Sequence, residues 1–204
     1  PMEEILIARQ YMIDLIERIQ PKKVVVNYGN HDLRFQNYLA KNLDTDLLEL
    51  MPKTSLELIF VDGFNHYNKE LHTKVHYDPL IDVFKDSGIE IVYNDTWFSF
   101  VGETIFVHPL AYSSGMLKTA EKAYRYFKDN DYFFDTIVMA HTHKTGHYDI
   151  GNSVIYEQGC CCETSKMDYA DGKLTPSQRE GFILVYQDKF GRLNEDKTRI
   201  VRLN

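Results

Sequence analysis

Three apolar, β-type runs in this chain each empty into histidine. Val24-Val25-Val26 leads to Asn27-Tyr28-Gly29-Asn30-His31-Asp32, Thr104 to Val107 leads to His108, and Thr136 to Met139 leads through Ala140 to His141-Thr142-His143. Asn30 offers a neutral amide oxygen, His31 an imidazole that exchanges a proton near neutral pH, and Asp32 a carboxylate able to orient that imidazole. Gly29 lets the backbone turn tightly beside them. Imidazole nitrogens suit Mn, Fe, Co, Ni or Zn, and an amide oxygen adds a hard donor. The chemistry within reach of such a set is metal-dependent phosphoester hydrolysis.

Taken singly, His108 reads more readily as a hydrogen-bonded core histidine than as a ligand. The recurrence of strand-then-histidine carries the argument. In α/β sheets ligands collect outside the carboxyl ends of strands, so separate segments can converge on one centre. In an extended loop, His141 and His143 can face two metal ions instead of chelating one.

The elements that must position these residues alternate between helical and strand periods. Apolar residues at Met2, Ile5, Leu6, Met12, Ile13, Leu15, Ile16 and Ile19 predict a helix that Pro21 stops, and Val24 to Asn27 follow as a strand. Residues 33 to 50 read as mainly helical. Leu56 to Val61 is an apolar run whose period does not decide between helix and strand. Residues 62 to 78 form a polar, histidine-rich surface excursion, followed by a short helix near Pro79 to Lys85. Ile89 to Tyr93, Trp97 to Val101 and Thr104 to Val107 are strands separated by Asn94-Asp95 and Gly102-Glu103 turns. A helix from Gly115 to Lys128, a strand from Thr136 to Met139, and late strands at Val154 to Glu157, Gly181 to Gln187 and Arg199 to Leu203 complete the order. Such alternation predicts a layered α/β fold with mixed sheets. No internal repeat, low-complexity tract or linker interrupts it.

A length of 204 residues and 44% hydrophobic content allow a sizeable core and fit a single domain over residues 1 to 204. With 23 Lys and Arg against 30 Asp and Glu the formal charge is −7, so no global positive field draws nucleic acid or anionic membrane. No apolar run nears the roughly 20 residues that span a bilayer. Glu3, Glu4, Asp14 and Glu17 make the start unlike a secretory signal, and a cytoplasmic location is expected. The three cysteines, Cys160-Cys161-Cys162, have neither disulfide-framework nor C-x-x-C spacing. Their expected role is a buried strand end or a turn of small residues in a reducing compartment.

Other clusters weigh toward plainer readings. His72 and His76 would share a face if their segment were helical, with His66 close by. No H-E-x-x-H pattern accompanies them, so a solvated face is expected, with a lid or substrate-contacting segment as the alternative. Tyr67 and Tyr77 flank that segment. Tyr124, Tyr126 and Phe127 beside Lys122, Arg125 and Lys128 fit an amphipathic helix better than a base-stacking surface. Lys166, Lys173, Arg179, Arg192, Lys197 and Arg202 make the tail more basic than the rest.

On these segments the chain resembles the calcineurin-like metallophosphoesterases, whose motifs run D-x-H, G-D-x, G-N-H-D/E, a lone His after a strand, then G-H-x-H. Gly29-Asn30-His31-Asp32 matches the third, Val107-His108 the fourth, and Ala140-His141-Thr142-His143 the fifth with Ala in place of Gly. The tail from Gly159 onward resembles phage-type members more loosely. No Asp-x-His and no Gly-Asp occurs in the sequence. In the family those segments precede the helix leading into G-N-H-D, so the expectation is that they lie upstream, come from another chain, or have been lost.

The resemblance implies an α/β/β/α sandwich and two divalent ions. Asn30, His108 and His141 would bind the second ion and His143 the first, while His31, steadied by Asp32, would protonate the leaving group. It further implies a hydroxide bridging two ions about 3.5 to 4 Å apart and attacking phosphorus in line. The expected partner is a phosphate mono- or diester, with nucleic acid among the candidates, no membrane, and homo-oligomerisation where unpaired strand edges meet. The alternative is a non-catalytic binding or scaffolding protein with a degenerate metal site.

Overall fold

A computed structural model describes residues 2–69, 72–111, 113, 117–164 and 178–203. The chain divides into two compact units, Pro1–Thr96 and Trp97–Asn204. Both mix helices with strands, and parallel with antiparallel pairing, as the alternation in sequence predicts.

In the first unit, α1 (Met2–Ile19) ends just before Pro21, whose ring cannot continue a helix. β1 (Lys23–Val26) follows, then α2 (Leu33–Ala40), α3 (Thr45–Leu48) and α4 (Ser55–Glu57), which runs into a π-helical turn, Leu58–Asp62. The ambiguous run Leu56 to Val61 is therefore helical. Next come β2 (Phe64–Asn68), β3 (Thr73–Tyr77), α5 (Leu80–Val83) and β4 (Glu90–Tyr93). β1 pairs in parallel with β4, Val26 opposite Tyr93. Ile16, Ile59, Phe60, Phe64, Leu80 and Phe84 make the core, lined by Met2, Ile5, Leu6, Met12 and Ile13 of α1, whereas Leu15 and Ile19 of the predicted stripe are exposed.

β2 and β3 form an antiparallel hairpin with Phe64 opposite Tyr77. The shared helical face considered for His72 and His76 therefore does not form, while the expected solvated position holds for both. His76 lies in β3, exposed, with Nδ1 3.2 Å from Asn65 Oδ1 and Nε2 3.4 Å from Asp78 Oδ1. Phe64 is buried while Asn65 and Tyr67 face solvent. That period-2 pattern belongs to a half-buried strand.

The second unit is built on one five-stranded sheet. Its strands are β5 (Phe98–Val101), β6 (Thr104–Val107), β7 (Thr136–Met139), β8 (Thr145–Ile150) and β9 (Ser153–Gln158), in the order β5-β6-β7-β9-β8. β6, β7 and β9 are mutually parallel, and β5 and β8 run antiparallel on the two edges. α6 (Lys118–Asp129) crosses from β6 to β7, burying Ala120, Ala123 and Phe127. Phe127 meets Trp97, Phe98, Tyr132 and Phe134 ring to ring, while the Lys128 ammonium lies 4.2 Å from the Phe134 ring centre. The aromatic and basic residues of this helix are thus core and rim. Its predicted start at Gly115 lies outside the described residues.

The opposite sheet face, with Val138, Val154 and Tyr156, packs on Ile183 and Ile200 of a two-stranded ribbon, β10 (Gly181–Leu184) and β11 (Arg199–Arg202). β10 stops at Leu184, short of the predicted Gln187. There Tyr186 N–H turns to the Thr198 hydroxyl instead of a strand partner. The cysteines correct another expectation. Cys160 makes a bridge to Glu180, but Cys161 and Cys162 are exposed, and all three are free thiols. Burial pushes the Cys160 thiol up to about 11, which makes it a poor nucleophile at neutral pH. Lys166 and Lys173 lie outside the described residues, and among the rest no helix is long and apolar enough to cross a membrane.

Candidate functional site

In the first unit the chain stays extended past the end of β1. The Val26 carbonyl accepts from Asn94 N–H at 2.9 Å, and Tyr28 N–H donates to the Thr96 carbonyl at 3.1 Å. Asn94 Nδ2 donates to Asn27 Oδ1 at 3.2 Å. The backbone then closes a small loop. Asp32 N–H donates to the Gly29 carbonyl at 3.2 Å, and buried Gly29 returns its N–H to Asp32 Oδ2 at 2.7 Å.

Asp32 occupies the N-cap position of α2, yet its carboxylate serves Gly29 and caps no helical amide. Burial pushes its carboxyl above the usual range, opposed by the Gly29 hydrogen bond and the nearby His31. His31 itself is exposed, and its Nε2 lies 3.3 Å from Arg34 Nη2. A guanidinium can only donate, so this contact uses an unprotonated Nε2. The hydrogen bonds of the expected His31 and Asp32 pair therefore go elsewhere, to Arg34 and to Gly29.

In the second unit two of the predicted ligands meet. β6 and β7 are neighbouring parallel strands with Val107 opposite Met139, so both deliver their following residues to one sheet end. His108 is anchored by its N–H on the Trp97 carbonyl at 2.8 Å, and Ala140 N–H bonds the Val107 carbonyl at 2.9 Å. The rings of His108 and His141 lie 5.3 Å apart at 87°, with His141 Nδ1 3.4 Å from His108 Nε2.

His141 and His143 both hold left-handed backbone, φ 77° and 56°, around buried Thr142. The Thr142 hydroxyl donates to Glu157 Oε1 at 2.8 Å, and the His143 carbonyl accepts from Arg179 N–H at 2.8 Å. Asn30 is half-buried in the loop of the first unit, and His143 is half-buried in the second.

Two nitrogens bound tetrahedrally at about 2.0–2.1 Å to one ion stand about 3.3–3.4 Å apart. The His108 and His141 nitrogens have that spacing, so they fit two positions around one cation. Among the described residues no group of three or more His, Cys, Asp or Glu is assembled to hold a metal. The two-ion set implied by resemblance is thus met only as a two-imidazole portion.

Sequence reasoning missed three residues at these places. Arg34 sits three positions after His31 on the first turn of α2, a spacing that brings side chains together. Thr142 lay unread between two histidines. Glu157 was visible as a carboxylate closing an apolar run, which is an unusual place for one.

No family model and no curated protein matches the chain. Among solved structures it is similar to a double mutant of Vps29 from Entamoeba histolytica, at TM-score 0.32. A single mutant of that protein is similar at TM-score 0.31, and each match has 15% identity over 57% of this chain and 69% of that one.

Proposed function

We propose that this chain is a metal-dependent phosphoester hydrolase in which His108 and His141 hold one side of a divalent cation of the Mn, Fe, Zn or Ni class. The observation that carries this reading is the 3.4 Å spacing of two imidazole nitrogens at the ends of adjacent parallel strands. Neutral imidazoles at that spacing suit a late first-row cation. When bound, such an ion supplies Lewis acidity toward a phosphoryl oxygen and lowers the pKa of its water.

The chain's own residues do the rest. His31 and Arg34 are exposed side by side, a group that moves a proton next to a guanidinium whose planar fork matches phosphoryl oxygens. His143, two residues beyond His141 on the same turn, is a further donor. The substrate is a phosphate mono- or diester, nucleic acid included.

The test is hydrolysis of bis-p-nitrophenyl phosphate with added Mn²⁺, with metal content measured on the same samples. His141→Ala should lose both bound metal and turnover, and His31→Ala should lose turnover alone. Unchanged turnover in His31→Ala removes that residue from proton transfer.

A second reading is a non-catalytic binding protein with a partial metal site. It is favoured by an Asp32 carboxylate committed to Gly29. Metal binding without hydrolysis by the wild-type chain selects it.

A further inference from the structure

Glu157 is a carboxyl group that directly follows the buried run Val154-Ile155-Tyr156 in β9. Ser153 through Tyr156 of β9 are buried, and Glu157 is only 4% exposed. A carboxyl group in such a place is costly unless hydrogen-bonded. Its hydrogen bond comes from the hydroxyl of Thr142, itself 9% exposed, at 2.8 Å.

The strand register explains why these two residues meet. Across the parallel strands β6, β7 and β9, Val107, Met139 and Glu157 stand at one level. His108 follows the first immediately, and Thr142 lies three residues beyond the second, so the turn after β7 folds back over the sheet end onto Glu157.

That turn is strained. His141 and His143, both non-glycine, hold positive φ on either side of Thr142. Such residues persist only where the surroundings over-determine them. Among the described residues three bonds contribute to this: Thr142 N–H to the Ala140 carbonyl at 3.0 Å, Arg179 N–H to the His143 carbonyl at 2.8 Å, and the Thr142 hydroxyl to Glu157. The first two are backbone bonds that many sequences could make. The third depends on the choice of both side chains.

We propose that Glu157 is a positioning residue: through Thr142 it fixes the His141-Thr142-His143 turn, and so keeps His141 Nδ1 at the spacing from His108 Nε2 that one divalent cation requires. The inference deepens the hydrolase reading and rests on it for its consequence. Its geometric half concerns the metal-free protein alone. Loss of the anchor frees the turn to relax toward negative φ, and the His141 ring leaves His108.

The experiment uses the full chain. Nuclear Overhauser contacts between the ring protons of His108 and His141 are measured without metal, and Zn²⁺ affinity is measured by calorimetry. Thr142→Val alone leaves Glu157 buried without its donor and can unfold the unit. The double variant Thr142→Val with Glu157→Met removes both polar groups at similar volume, a replacement that can be nearly neutral for stability. Thr142→Ser keeps the hydroxyl.

The expected result is that the double variant melts near the wild-type temperature but loses the ring contact, with Zn²⁺ affinity falling 10–100-fold, the usual effect of losing a residue that orients a ligand. Thr142→Ser should retain both. A folded double variant with the ring contact intact and affinity within twofold of wild type overturns the proposal. A wild-type chain that binds no Zn²⁺ sinks the metal reading instead, and the ring contact then decides the positioning role by itself.

Discussion

The His141 imidazole meets the His108 imidazole edge-on, 87° between planes and 5.3 Å between centres, each ring arriving from the end of a neighbouring parallel strand. On the hydrolase reading these two nitrogens would share one cation. Zn²⁺ at 100 times its dissociation constant should add about 2.7 kcal/mol to the stability of the unit that holds it. For a protein of this size that is a rise of roughly 5–10 °C in melting temperature. Differential scanning calorimetry should show the rise in the wild type and none in a His108→Ala, His141→Ala double variant; equal shifts in both would place the ion elsewhere.

Asp32 gives a pH dependence whose sign follows from its burial. Its carboxyl is raised above the ordinary 3.8, so the folded state keeps the proton to higher pH than the unfolded chain does. Its contribution is therefore full below 3.8 and declines as pH rises through the folded value. Asp32→Asn keeps an oxygen for Gly29 N–H and removes the titration. In urea melts the variant should gain stability relative to wild type as pH climbs from the acid range toward neutrality. Parallel curves would show that this carboxyl titrates alike in both states.

Thr54 joins two parts of the first unit through one fully buried hydroxyl. Its Oγ1 accepts from Glu57 N–H at 3.1 Å, capping α4, and lies 2.8 Å from the Tyr93 hydroxyl on β4. Thr54→Val removes the cap and strands a half-buried phenol that burial holds up at about 12. The expected loss is about 1–3 kcal/mol, with Thr54→Ser recovering most of it. Denaturant midpoints of the three proteins check this, and a Thr54→Val midpoint equal to wild type would discard it.

Gly102 and Gly191 approach so closely that neither has room for a methyl group. A Cβ on Gly102, at φ 57°, would stand 2.5 Å from the Gly191 carbonyl oxygen, and one on Gly191, at φ 83°, would stand 2.7 Å from Gly102 Cα. Here the β5 to β6 turn seats against the loop before β11, and Glu103 N–H bonds the Gly191 carbonyl at 2.8 Å. Gly102→Ala should cost at least about 1–3 kcal/mol by overpacking alone. Gly88→Ala is the control for backbone strain in open space, since Gly88 also has positive φ and nothing within 4 Å of its would-be Cβ. Comparable losses at both sites would make φ the whole effect.

Sequence and structure agree where one force dominates. Pro21 ends α1, Gly102-Glu103 turns β5 into β6, and the β-branched runs before His108 and His141 become adjacent parallel strands. The misses have physical reasons. β2, β3 and β8 carry histidine, asparagine, lysine and aspartate on their outward faces, which hid the apolar alternation of Phe64, Val75, Tyr77, Tyr148 and Ile150. For β8 a signal was present, because Gly151-Asn152 between two alternating runs is a two-residue hairpin turn. The His108 and His141 pair was legible because each lies within two residues of a strand end. The Thr142 to Glu157 bond was not, because it depends on the pairing of β7 with β9 across 15 residues.

The two edges of the five-stranded sheet differ in how they meet water. β8 exposes His147 and Asp149, whose charge and hydration discourage another strand from adding on, whereas β5 exposes Phe100 and Val101 at 40% and 47%. Concentrated solutions of this protein should accordingly lose clarity by growth from the β5 side, and shelf life in the test tube should lengthen when Val101 is made lysine while the β8 side is left as it is.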